Sequence, residues 1–65
     1  MNNAKIQPPK QPDLTFAQLG KIILEKFGAD AIRRGYGFDD PESDLDSLGR
    51  VAIAWNDINR DGTLN

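Results

Sequence analysis

Residues 14–28 read Leu-Thr-Phe-Ala-Gln-Leu-Gly-Lys-Ile-Ile-Leu-Glu-Lys-Phe-Gly, and this stretch decides the fold class. Thr15 followed three residues later by Gln18 is a capping box: the Thr15 hydroxyl accepts from the Gln18 backbone N–H, and the Gln18 amide reaches back. Leu14 before the cap and Leu19 after it form the hydrophobic staple that sets the angle of entry. Phe16, Leu19, Ile23 and Phe27 then recur at intervals of three and four, one face of a helix over residues 16–27. Gly28 stands where a left-handed residue ends such a helix. Ile22 and Leu24 widen the apolar sector beyond what one small helix covers.

The next segment predicts a helical turn over 29–34. Asp30 lies near its positive end, Arg33 and Arg34 near its negative end, and Gly35 stops it. Ala31 and Ile32 face inward. Gly35-Tyr36-Gly37-Phe38 sets two aromatics between glycines, either folded back over a small core or offered to a partner. A third helical segment is expected over about 41–58. Its start is signalled twice, by Asp40 with Pro41 at the first helical position and by Ser43 with Asp46 three residues on. Glu42, Asp44 and Asp46 suit the positive end of the dipole. Leu45, Leu48, Ala52 and Trp55 form the inward stripe, with Val51 and Ile58 beside it and Ile53 off it. Gly49 in mid-helix costs about 0.5–1 kcal/mol against alanine. It either permits close contact with the first helix or is incidental.

Residues 1–13 carry Pro8, Pro9 and Pro12 among lysines and amides. Such a segment buries too little to offset its ordering entropy, and an extended, polyproline-like arm is expected. The domain organisation is therefore an arm over 1–13 and one small all-helical domain over 14–65, a two-helix hairpin-like unit with an extra helical turn. Its predicted core is Leu19, Ile23, Phe27, Leu48, Ala52 and Trp55.

Composition narrows the chemistry. Among 65 residues there is no cysteine and no histidine. That excludes disulfides, thiolate metal sites and an imidazole base. Serine occurs only at Ser43 and Ser47, with no histidine to activate it. A non-enzymatic protein is expected, with no catalytic residue. No apolar run approaches the roughly 18 residues of a membrane span, and no signal peptide is visible. The expected location is cytoplasmic or within a larger assembly. The net charge of −2 hides an asymmetry: residues 1–34 carry six basic and three acidic side chains, residues 35–65 two basic and seven acidic. Nucleic acid is not an expected partner, because phosphate neutralisation needs a concentrated basic patch.

A core of this size leaves apolar surface over. Phe16, Ile22, Leu24, Tyr36, Phe38 and Ile53 are the candidate partner-binding residues. The expected function is that of an accessory or assembly subunit, or an inhibitor, docked on a larger protein by a helical face and the arm, or self-associating.

The C-terminal segment suggests a rival. Asp57-Ile58-Asn59-Arg60-Asp61-Gly62-Thr63-Leu64-Asn65 resembles the first nine positions of an EF-hand calcium loop, and equally those of a dockerin repeat. A hard cation wants oxygen ligands all round, and alternate positions of a tight loop supply them. Asp57, Asn59 and Asp61 fill the first, third and fifth places, Gly62 the sixth, and Thr63 supplies its carbonyl at the seventh. Asn65 matches the ninth. The match ends before the bidentate acid of the twelfth position. A calcium-dependent module, the alternative function, would then bind weakly, on the order of 10⁻⁴–10⁻³ M at best. The ordinary reading is a turn that ends the last helix.

Overall fold

The computed structural model describes residues 13–65; the arm expected over 1–13 lies, Asp13 apart, outside them. The described residues are mostly helical, as expected. Helix α1 spans Phe16–Phe27, α2 spans Ala29–Gly35 and α3 spans Leu45–Ala54, with a 3-10 turn at Pro41–Ser43 before α3. Helix α1 begins as its sequence dictates. The Gln18 N–H donates to Thr15 Oγ1 at 3.0 Å, and the Thr15 N–H donates to Gln18 Oε1 at 2.8 Å. Gly28, at φ +89°, ends α1 and starts α2, a conformation glycine adopts without steric cost.

Two boundaries differ from expectation. Helix α2 runs through Gly35 and turns at Gly37, φ +79°, whose N–H reaches the Ile32 carbonyl at 3.2 Å. The expected 41–58 helix is two pieces. Pro41 starts only the 3-10 turn, and α3 begins after Asp44, at φ −136°, with no side-chain cap. It ends at Ala54 because Asn56 adopts φ +61°. The Asn56 N–H then donates to the Ile53 carbonyl and the Asp57 N–H to the Ala52 carbonyl, at 3.0 and 2.8 Å. This is a Schellman motif with asparagine in the left-handed position.

Helices α1 and α3 pack on each other at two glycines. A β-carbon on Gly20 would run into the Leu45 carbonyl oxygen and lie 3.1 Å from the Gly49 nitrogen. One on Gly49 would run into the Phe16 carbonyl oxygen and lie 3.0 Å from the Gly20 nitrogen. The helices therefore touch backbone to backbone, which settles the role of Gly49. Around this contact lie Leu19, Ile23, Ile32, Leu48 and Ala52, all fully buried, with Ile58 at 2% exposure. Each large member contributes about 1.5–3 kcal/mol of burial.

The C-terminal segment supplies cover that two helices alone lack. Ile58 and Leu64 form an antiparallel bridge, closed by the Asn59 N–H donating to the Thr63 carbonyl at 2.8 Å. This small hairpin is tied to the start of α1: the Leu14 N–H donates to the Arg60 carbonyl at 3.0 Å. Arg50 and Arg60 both lie over the Phe16 ring, 4.4 and 4.7 Å from its centroid. The guanidinium planes cover that ring while keeping their own charge in water.

Candidate functional site

With the core closed in this way, the large apolar side chains that remain exposed among the described residues are Phe27 and Trp55, at 46% and 55%. Both were expected in the core, and the correction has one physical reason. Phe27 is the last residue of α1, and Trp55 follows the last residue of α3. At a helix end the periodic stripe runs past the neighbour it packs against, so spacing alone does not assign burial. Their terminal positions, beside Gly28 and Asn56, are the sequence signal that marks them.

Phe27 and Trp55 line one open groove of about 270 Å³, together with Ala31 and Ile32 of α2, Tyr36 and Asp57. Gly35 also borders it. The Tyr36 ring stacks on Trp55, with centroids 5.0 Å apart and planes 27° apart, and meets Phe38 edge-on at 6.5 Å. The Tyr36 hydroxyl donates to Asp57 Oδ2. Burial first, then this hydrogen bond and the Asp57 charge, push the Tyr36 hydroxyl well above its ordinary value. The phenol therefore stays protonated as a fixed donor, and the carboxylate it holds is the one charge among the groove's lining residues. Asp57 Oδ1 receives no hydrogen bond from the described residues.

The residues expected to bind a partner lie in several places. Phe16, Ile22, Leu24, Tyr36, Phe38 and Ile53 are all half-buried against the core. Phe16 is under the two arginines and Ile22 faces Gly62, while Tyr36 alone of the six lines the groove.

The residues that resemble a calcium loop are hydrogen-bonded among themselves and to Tyr36 and Asn56. Asp57 is held by Tyr36. Asp61 Oδ1 accepts from the Thr63 N–H at 3.0 Å and from the Thr63 hydroxyl at 2.7 Å. The Asn59 amide donates to Thr63 Oγ1 at 2.8 Å, and the Asn65 amide to the Asn56 carbonyl at 2.6 Å. The Thr63 carbonyl accepts the Asn59 N–H. Among the described residues no three acidic side chains converge as a metal-binding group. A second, larger depression of about 420 Å³ is lined by Gly37, Phe38, Asp39, Asp40, Ser43 and Asp44. It has no opposing wall of aromatics. Among the described residues no helix is long and apolar enough to cross a membrane. No protein-family model, curated protein or solved structure matches the chain.

Proposed function

We propose that the protein is a non-enzymatic binding subunit that docks a partner protein in the groove lined by Phe27 and Trp55. One observation carries this: among the described residues the other large apolar side chains are at least partly covered, yet these two stay exposed and line one concave surface. Phenylalanine, tyrosine and tryptophan are the residues that anchor interfaces, because they bring large contact area at small entropic cost. Non-enzymatic action fits a chain with neither histidine nor cysteine.

Affinity capture from the native source, comparing the unaltered chain with Phe27→Ser and Trp55→Ser, tests the reading. The same partner should be lost with both groove variants and retained with Lys21→Ser, on the exposed side of α1. Retention with the groove variants would overturn it.

A further inference from the structure

We propose that the groove receives a basic side chain, the guanidinium or ammonium end of an arginine or lysine presented by the partner protein. This rests on the protein-binding reading and names the chemistry the groove recognises. The Asp57 carboxylate sits among Phe27, Ile32, Tyr36 and Trp55, anchored through Oδ2 by the Tyr36 hydroxyl. An apolar segment laid into the groove would take Asp57 out of water with Oδ1 unpaired, and burying an uncompensated charge is costly. The occupant must bring the missing positive charge.

Lysine and arginine meet the remaining demands of the site. Their alkyl stems pack on apolar walls while the charged end reaches a polar group. Aromatic faces attract such cations, by about 0.5–2 kcal/mol depending on exposure. The chain displays the same pairing elsewhere, with Arg50 and Arg60 over Phe16. The volume of about 270 Å³ falls below the usual range of small-molecule sites, and suits one inserted side chain. Residues 35–65, with seven acidic against two basic side chains, favour the approach of a basic surface.

Three capped amino-acid amides of similar length separate the possibilities: N-acetyl-arginine amide, N-acetyl-citrulline amide and N-acetyl-norleucine amide. Citrulline keeps the shape of arginine and three of its five N–H donors, with a carbonyl oxygen in place of the charged nitrogen; norleucine keeps only the apolar stem. Trp55, the chain's one tryptophan, reports binding by fluorescence in the full chain. The arginine compound should saturate at least ten-fold more tightly than the other two. Asp57→Asn, which keeps an acceptor for Tyr36, should remove that advantage while helix content stays unchanged. Equal binding of all three, no binding of the arginine compound, or an advantage that survives Asp57→Asn would overturn the proposal. The protein-binding reading fails separately, when partner capture survives Phe27→Ser.

Discussion

Gly20 and Gly49 each lie where a β-carbon of their own would collide with the backbone of the facing helix: Gly20 with the Leu45 carbonyl, Gly49 with the Phe16 carbonyl. A carbonyl oxygen on a rigid helix cannot swing aside as a side chain does. Gly20→Ala and Gly49→Ala should therefore each destabilise by about 1–3 kcal/mol or more, although alanine is the better helix former. Gly35→Ala is the control, since nothing lies within 4 Å of its β-carbon position. It should be neutral or stabilise by up to about 1 kcal/mol. Urea unfolding of the three variants checks the contrast.

The exposure of Trp55 predicts a small cost for losing it. Trp55→Ala removes the stack on Tyr36 from a residue 55% exposed, and should cost about 1 kcal/mol. Leu48→Ala, at a fully buried position, should cost about 2–5 kcal/mol. Equal losses in thermal or denaturant unfolding would place the indole in the core after all.

Tyr36 predicts a particular response to alkali. An unfolded tyrosine loses its proton near pH 10, whereas the native one holds it to higher pH. Above about pH 10 the unfolded chain is the more deprotonated, so stability from this residue is complete below that point and falls as pH rises. The absorbance of the single tyrosine should show a midpoint above 10 in the native state. Tyr36→Phe should lose about 1 kcal/mol near neutrality and flatten the alkaline fall relative to the unaltered protein.

Asn56 ends α3 in a left-handed conformation, which costs most residues about 1–2 kcal/mol. Asn56→Gly should be neutral or stabilising, and Asn56→Ala should destabilise by about 1 kcal/mol, measured by circular dichroism during urea unfolding. Matching stabilities would mean that the turn after α3 is not set by this residue.

Calcium offers a test of the hairpin. Asp57 is bonded to Tyr36, Asp61 to Thr63 and Asn59 to Thr63, so a cation would have to displace those bonds. Trp55 fluorescence should remain unchanged up to about 10 mM calcium, beyond the range of weak sites. A saturable change abolished by Asp61→Ala would instead establish a cation loop.

The features legible in the sequence are those that depend on near neighbours along the chain. The α1 limits follow from the Thr15–Gln18 box, the periodic Phe16, Leu19 and Ile23, and Gly28, all within one or two helical turns. Leu19, Ile23, Leu48 and Ala52 were legible as core for the same reason. The break at Asp44 and the stop at Ala54 are harder to read, because Asp40-Pro41 and Ser43 both signal a start and the apolar stripe runs on past Asn56 to Ile58. Long-range packing is what brings Ile58 into the core, two arginines over Phe16, and Phe27, Tyr36, Trp55 and Asp57 to one groove. Those residues come from α1, the loop after α2 and the turn after α3. Their meeting is set by how closely two glycines let the helices approach, and by a hairpin that closes over residues more than forty positions away. Neither quantity is written in the spacing of any one segment.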